Sequence, residues 1–469
     1  LPDRYGEGYG VSYKGIDFAD DNDISLIIAL DCGIKAVDKV KYASERNIDF
    51  IICDHHLPGE QVPAAAAVLN PLQSDCSYPF KYLSGCGIGF KLVQALCTAW
   101  EIEKEFAYQY LDFVAIAAGC DIVSMTGENR VLTAFGIKLM QQSLRPGLRI
   151  LFESGGLIQD GTYQFKRDLT VTDLVFTIGP RINAAGRMAH GELAVKLLTA
   201  KTTKQAEEPA SLVNSNNDER RSVDKEIVEE ALEMIDNNAE MQVQKSTVLF
   251  ANHWHKGVIG IVASRLQDHY HRPTIVLTES NGKASGSARS VNGFDVHEAI
   301  EECADLLENF GGHPAAAGLT LGLEKLESFK LRFEEAVSKK ILPEQLIPTL
   351  EIDLRIDFHQ ITEKFFDQLN RMAPFGPDNM RPHFATYHVV DTGKTKQVGD
   401  GTHLRLEVHQ PQISNTVMTG IAFKQGHHYE RIASGEPFHL AYKLEWNEFR
   451  GKKNLQMMVE DIHFSEDEI

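Results

Sequence analysis

Two short apolar runs, Ser25–Leu30 and Phe50–Cys53, bracket a stretch in which Ile34, Val37, Val40 and Ala43 recur at helical spacing. Unbroken apolar runs of that length suit strands covered on both faces. The segment therefore predicts a βαβ unit: two parallel strands, joined by a crossover helix, in a sheet with helices on its faces. The same unit puts Asp31 directly after the first strand and Asp54-His55-His56 directly after the second. Both sets lie on the edge formed by the carboxyl ends of the strands, where open α/β sheets bind ligands. A third acid, Asp121, follows the apolar stretch Leu111–Ala118, a predicted helix that Gly119 would end in the left-handed conformation.

Taken singly, each residue has a plain structural reading. An aspartate after a strand commonly caps a helix or shapes a turn, and paired histidines are common on surfaces. Their joint placement on one sheet edge points instead to a metal site. Carboxylate and imidazole donors suit Mn²⁺ or Mg²⁺ with a hydrolytic water, whereas structural zinc would call for thiolates. The seven cysteines (Cys32, Cys53, Cys76, Cys86, Cys97, Cys120 and Cys303) form no CxxC pair and lie mostly in apolar runs. Reduced, buried thiols of a cytoplasmic protein are the expectation.

At 469 residues the chain exceeds one ordinary domain. The expected organisation is α/β: a parallel-sheet domain over residues 1–191, a connecting helix over 192–240, a smaller α/β domain over 241–342 and a β-barrel over 343–469. Pro209 should mark the start of the connecting helix or a kink in it. In the second α/β segment the predicted elements are a strand at Thr247–Ala251, a helix from Gly257 to Gln267 and a strand at Thr274–Thr278. After a helical stretch at Ile361–Met372 come alternating runs at Phe384–Val390, Thr402–Val408, Thr416–Phe423, Pro437–Leu444 and Leu455–Ile462. Evenly spaced strands of this kind suggest an oligonucleotide-binding (OB) barrel. No apolar run reaches the ~18–20 residues of a membrane span, and no signal peptide opens the chain.

A net charge of −19 argues against broad attraction to nucleic acid, so a nucleic-acid enzyme of this composition needs a local basic groove. Three stretches of the second domain could supply part of it. Trp254-His255-Lys256-Gly257-Val258-Ile259-Gly260 leads into a helix N-terminus that favours an anion. Ser285-Gly286-Ser287-Ala288-Arg289-Ser290 offers hydroxyls and a guanidinium. Gly311-Gly312-His313-Pro314-Ala315-Ala316-Ala317-Gly318 forms a small-residue loop that backbone or ligand can approach closely. In the barrel, Lys394, Lys396, Arg405, Lys443, Trp446, Phe449, Arg450, Lys452 and Lys453 are candidates to grip a strand.

Asp54-His55-His56, with Leu30-Asp31-Cys32-Gly33 before it and Gly119-Cys120-Asp121-Ile122-Val123 after it, resembles the motif set of the DHH phosphoesterases. Four further stretches resemble the RecJ-type exonuclease branch of that superfamily: Pro2–Gly10, Gly85–Lys91, Thr126–Arg130 and Gly179–Arg187. The resemblance implies a DHH domain, a DHH-associated domain and an OB domain, and a metal-dependent 5′→3′ exonuclease that degrades single-stranded DNA in recombination and repair. It implies two divalent cations, with Asp31 bridging them, His55 and Asp121 holding one, Asp54 orienting the histidine from behind, and His56 meeting the scissile phosphate. Substrate binding would fall to Arg181, Asn183, His255, Gly257, Ser287, Arg289, Gly311, Gly312 and His313, with the two domains forming a channel that admits one strand. Implied partners are a single-strand-binding protein and a recombination helicase, with no membrane.

The family's first motif, an Asp-x-Asp on an opening strand, would lie upstream of Leu1, and its absence would leave one metal short of ligands. Two other readings stay open. A DHH oligoribonuclease or nucleotide phosphatase would ordinarily stop before a barrel, and a non-catalytic DHH scaffold of the replication machinery would have no need of Asp31, His55, His56 and Asp121.

Overall fold

In the computed structural model, which describes residues 1, 7–159, 162–188, 190–449 and 452–464 (side chains at 448, 449 and 452 excepted), the two apolar runs become neighbouring strands. β1 (Leu26–Leu30) and β2 (Asp49–Cys53) pair in parallel from Leu26↔Asp49 to Leu30↔Cys53, and β3 (Ala67–Leu69) adds in parallel beyond β2. Helices α1 (Tyr13–Asp21) and α2 (Val37–Ser44) bring Ile16, Ala19, Val40 and Ala43 against Ala29, Phe50 and Ile52. α2 begins later than the apolar stripe suggests, with Ile34 buried in the turn ahead of it. α3 (Gly85–Ala99) adds Ile88 to a small core with Cys53 and Leu83. Ser84 caps α3, its hydroxyl accepting from the Gly87 N–H at 3.1 Å.

The rest of the first domain is helical: α4 (Glu105–Tyr108), α5 (Leu111–Cys120), α6 (Gly127–Gln142), α7 (Pro146–Ser154), α8 (Val171–Asp173), a π-helical stretch at Leu174–Ile178, α9 (Gly179–Met188) and α10 (Glu192–Thr199). The expectation that Gly119 ends its helix is not met. α5 runs through Gly119 to Cys120, and Ile122 takes the left-handed conformation at φ 56°. Gly119 serves packing instead, because a Cβ there would lie 3.1 Å from Val171 Cγ1.

α11 (Thr203–Asp236) is the connecting helix, with the Thr202 hydroxyl accepting from the Gln205 N–H at its start. Pro209 therefore lies inside the helix and does not begin it. The lost backbone bond is offset by burial of Ala206, Ala210 and Val213 among the helices of the first domain. Farther along α11, Ile227, Ala231 and Ile235 pack into the second domain.

After α12 (Ala239–Val243) come β4 (Thr247–Ala251), α13 (Ile259–Tyr270), β5 (Thr274–Ser280), β6 (Lys283–Arg289), α14 (Val296–Glu301), β7 (Leu307–His313), β8 (Ala316–Gly322) and α15 (Leu326–Lys340). The sheet order is β4-β5-β6-β8-β7, parallel only between β4 and β5. The small-residue stretch Gly311–Gly318 is thus a hairpin of β7 and β8, not a free loop. Gly312 permits their close approach, since a Cβ there would sit 2.3 Å from the Ala316 carbonyl oxygen.

The last segment holds β9 (Leu354–Arg355), α16 (Glu363–Asn370), β10 (Phe384–Asp391), β11 (Lys396–Val398), β12 (His403–Gln410), β13 (Ser414–Ala422), α17 (Tyr429–Ala433), β14 (Phe438–Phe449) and β15 (Lys452–Phe464). All the expected strands form. The order β12-β13-β15-β14-β10 closes because β10 also pairs with β12 at Val390↔His409 and Asp391↔Val408. Phe384, Leu404, Phe438, Tyr442 and Phe464 fill the barrel. Among the described residues no helix is long and apolar enough to cross a membrane.

Candidate metal centre

The parallel ladder continues one residue past each strand. The Asp31 N–H donates to the Cys53 carbonyl at 2.8 Å, and the Asp54 N–H donates to that of Leu69 at 3.0 Å. Asp31 and Asp54 therefore leave the sheet at one level. Asp31 then turns with φ 64°, a conformation aspartate tolerates better than most residues. Asp121 arrives separately as the C-cap of α5.

These elements converge on His55. Its Nε2 lies 3.1 Å from Asp31 Oδ1 and 3.2 Å from Asp121 Oδ2. One imidazole N–H cannot point squarely at both carboxylates, and Asp31 Oδ1 and His55 Nε2 are both buried without a well-formed hydrogen bond. Donor atoms of Asp31, His55 and His56 lie within 4.8 Å of one another. Contact with Asp31 pushes the His55 imidazole up, against the opposing effect of burial. Burial pushes the Asp121 carboxyl up, and His55 offsets part of that. Charge of this kind, crowded and unsatisfied, is what a divalent cation relieves.

Asp54 has a different task. Its Oδ2 accepts from the Ile34 N–H at 2.9 Å, and its Oδ1 from the His55 N–H at 2.8 Å and the His56 N–H at 3.2 Å. The imidazole it orients is that of His56, whose Nδ1 lies 2.7 Å from Asp54 Oδ1. The expected link from Asp54 to a metal-holding His55 ring is therefore corrected: Asp54 fixes the loop backbone and aims His56. Burial alone would push the Asp54 carboxyl up, but hydrogen bonds from Ile34 and His56 hold it below its ordinary value. Asn70, which sequence reasoning missed, donates to the His56 carbonyl at 2.8 Å and completes the loop.

Gly85 stands out in the sequence only as part of a motif, yet it is what makes room for Asp31. A Cβ on it would lie 2.2 Å from Asp31 Oδ1 and 2.5 Å from Asp31 Cβ. The donor set is oxygen and imidazole nitrogen, although cysteines flank it. Burial pushes the Cys32, Cys53 and Cys120 thiols up to about 11 in the metal-free protein. All seven cysteines are free. The donors present fit Mn²⁺ or Mg²⁺ better than zinc in a thiolate site.

The second domain forms a cavity of about 290 Å³ lined by Arg187, Lys256, Gly257, Ile259, Gly260, Ser285, Gly286, Ser287 and Arg289. Gly257, Ser287 and Arg289 are expected site residues, and Lys256 and Gly260 belong to the expected anion-binding stretch; Arg187 joins them unforeseen. Gly260 opens this approach, because a Cβ there would come within 3.1 Å of both Arg289 Nη2 and Ser287 Oγ. Arg289 is held by Ser287 (Nη1 to Oγ, 2.8 Å) and by Ser264 of α13 (Nε to Oγ, 3.1 Å). Burial holds its guanidinium below the ordinary value. The helix itself begins at Ile259, two residues after Gly257. Arg187 of α9 donates to the Gly257 carbonyl at 2.8 Å and so ties the first domain to this cavity.

Other expected residues lie elsewhere. His255 Nδ1 accepts from the Gly257 N–H at 3.1 Å and shapes the turn. Arg181 is half-buried in a packing role, donating to the Thr177 carbonyl at 2.7 Å and to Asn214 Oδ1 at 3.0 Å. Asn183, Gly311, Gly312 and His313 are exposed. On the barrel, Lys394 pairs with Glu407 at 2.8 Å and Lys443 with Glu460 at 2.7 Å. Trp446 packs edge-on against Phe366 with ring centroids 5.3 Å apart, and the Lys453 ammonium lies 4.6 Å from its ring centroid. Lys396 and Arg405 face each other across β11 and β12. Residues 2–6 of the Pro2–Gly10 stretch, Arg450, and the side chains of Phe449 and Lys452 lie outside the described residues.

The sequence matches the DHH family N-terminal domain over residues 1–118, the DHHA1 domain over 223–339 and the RecJ OB domain over 352–461. It is 34% identical to the single-stranded-DNA-specific exonuclease RecJ of Bacillus subtilis, over 99% of this chain and 57% of that protein. Identity to the RecJ proteins of Dickeya dadantii and Escherichia coli is 32%, over 98% of this chain and 81% of each relative. Among solved structures, Thermus thermophilus RecJ in complex with Mn²⁺ superposes with a TM-score of 0.81 at 25% identity, covering 97% of this chain and 64% of that one. An exonuclease RecJ bound to manganese gives 0.60 at 29% identity, covering 74% of this chain and 83% of that one. The chain thus spans little more than half the length of the Bacillus relative.

Proposed function

The chain belongs to the RecJ family of DHH proteins, and on that footing we propose that it is the catalytic body of a metal-dependent exonuclease acting on single-stranded DNA. The observation that carries this reading is His55 Nε2 set between the Asp31 and Asp121 carboxylates at 3.1 and 3.2 Å, with no hydrogen bond to satisfy it or Asp31 Oδ1. Asp31, His55 and Asp121 would hold divalent cations, Mn²⁺ or Mg²⁺. When bound, such ions polarise a phosphodiester and lower the pKa of a coordinated water. His56, aimed by Asp54, would contact the scissile phosphate, and the cavity at Ser287 and Arg289 would hold a substrate phosphate.

The 5′→3′ direction, the place in recombination and repair, the cytoplasmic location and the partnership with a single-strand-binding protein and a recombination helicase rest on family membership. The closed barrel favours a long strand over a mononucleotide or dinucleotide as substrate, and the intact donor set favours an enzyme over a scaffold. The test is hydrolysis of end-labelled single-stranded DNA by the purified protein. Nucleotide release is expected with Mn²⁺, none with excess chelator, and little from duplex DNA; release that is indifferent to chelation would reject the metal centre.

Arg289→Ala is expected to weaken binding of a 5′-phosphorylated single strand about tenfold, since a charge-assisted contact in a half-buried pocket is lost. Mn²⁺ affinity should not change. Fluorescence anisotropy measures the first and calorimetry the second, and unaltered strand affinity would remove the cavity from the substrate path.

A further inference from the structure

The stretch Thr126–Arg130, at the start of α6, is not part of the metal centre, yet each of its polar residues from Glu128 to Arg130 is engaged. Glu128 takes the Lys91 ammonium and the Tyr78 hydroxyl. Asn129, fully buried, donates to the Tyr82 carbonyl at 2.6 Å and to the Ser124 carbonyl at 2.9 Å. Those bonds hold the segment running through Leu83 and Ser84 into Gly85, the residue that abuts Asp31.

Arg130 points the other way along the chain. Its Nε donates to the Met372 carbonyl at 2.9 Å, and its Nη2 to the Arg371 carbonyl at 2.9 Å and the Ala373 carbonyl at 3.3 Å. These oxygens follow the last turn of α16, whose C-cap is Arg371. Of the three, the Arg371 carbonyl, at the C-cap, lacks an intrahelical donor and lies at the negative end of the helix dipole, and the Met372 and Ala373 carbonyls follow just beyond the helix. A planar guanidinium reaches several of them at once, where an ammonium cannot keep the same geometry. A second contact lies beside the first. The Met125 N–H donates to the Pro377 carbonyl at 2.7 Å, and a Cβ at Gly376 would stand 3.0 Å from Met125 Cβ. The receiving loop is ordered from within, for Asn379 donates to the Met372 and Pro374 carbonyls at 3.0 and 2.9 Å.

We propose that Arg130 is the positioning residue that seats the barrel on the catalytic domain, so that a strand gripped by the barrel is presented in fixed register to the Asp31–His55–Asp121 centre. The proposal rests on the exonuclease reading for its consequence, though not for the clasp itself. Arg130 touches neither the metal donors nor the cavity at Arg289, so its effect should depend on substrate length.

The experiment compares wild-type protein, Arg130→Met and Arg130→Lys on a single strand of about 50 nucleotides, several times the footprint of one OB barrel, and on a dinucleotide too short to span both sites. For Arg130→Met, kcat/KM on the long strand is expected to fall about tenfold, mainly through KM. Its dinucleotide rate should stay within about twofold of wild type, and Arg130→Lys should lie between the two. Hydrogen exchange supplies a readout that needs no activity: the Met125 amide should exchange at least about tenfold faster in Arg130→Met, while barrel amides in β14 keep their protection. Equal losses on both substrates, or unchanged exchange at Met125, would overturn the clasp. A wild-type protein inactive on every strand would instead overturn the exonuclease reading, and the exchange result would still decide the clasp.

Discussion

Asp31→Ala is expected to reduce hydrolysis of single-stranded DNA about 10³-fold or more while the protein stays folded. The carboxylate is one of two that face His55 Nε2, at 3.1 Å, and its Oδ1 has no other bond to make. Removing it takes away a cation ligand whose transition-state contribution is several kcal/mol, and each 1.36 kcal/mol is a factor of ten in rate. The fold should survive because what Asp31 gives the sheet is its backbone N–H bond to Cys53, which alanine retains. Left-handed φ at this position adds only a modest strain of about 1 kcal/mol for alanine. Rates on labelled DNA, Mn²⁺ titration by calorimetry and circular dichroism read the three parts separately. Activity within tenfold of wild type would exclude Asp31 as a metal ligand.

Gly85→Ala should be nearly as damaging, although glycine has no chemistry to lose. A methyl group there meets Asp31 at its Oδ1, Cβ and Cγ, the farthest only 2.6 Å away, so the near end of the side chain must move and a rotamer change cannot relieve the clash. Overpacking of this kind costs about 1–3 kcal/mol of stability, and displacing a metal-holding carboxylate by about 1 Å can cost about 10²-fold in rate. Gly186→Ala in α9 is the control. Nothing lies within 4 Å of the place its methyl group would take and its φ is not left-handed, so alanine there should be neutral or slightly stabilising by helix propensity. If both variants kept full activity, Gly85 would not be the floor on which Asp31 rests.

The elements legible in the sequence are those whose burial leaves a local signature. β4 is expected at Thr247–Ala251 and is found there, because a strand covered on both faces shows as an unbroken apolar run. The barrel strands carry the alternation of a sheet with one wet face, as in the buried Leu404, Leu406 and Val408 of β12. Asp31, Asp54, His55 and His56 can be placed on one rim because strand ends are fixed once strands are. The misreadings share another cause: tertiary packing outweighs local propensity. Gly119 has the look of a helix terminator and proves to be a contact point for Val171. Of the two readings of Pro209, a boundary or a kink, the first fails because the helix, with Ala206 and Ala210 buried, runs past it. The ring that Asp54 orients depends on which way two adjacent imidazoles turn, and spacing in sequence is silent on that. Gly85, Asn70 and Arg130 act across 54, 14 and more than 240 residues of chain (85 − 31, 70 − 56, and 372 − 130), distances at which no pattern of residue types could reveal a partner.

The 34 residues of α11 form a shaft with a domain keyed to each end. Ala206, Ala210 and Val213 engage the first, and Ile227, Ala231 and Ile235 the second. An α-helix turns by about 100° and advances about 1.5 Å for each residue. Deleting or adding one residue between Val213 and Ile227 would therefore swing one half of the molecule about a quarter of a revolution relative to the other, whereas an exchange of side chains would leave the phasing intact. The length of this helix should be as strictly kept as the identity of the acids proposed to hold the metal, and for a purely mechanical reason.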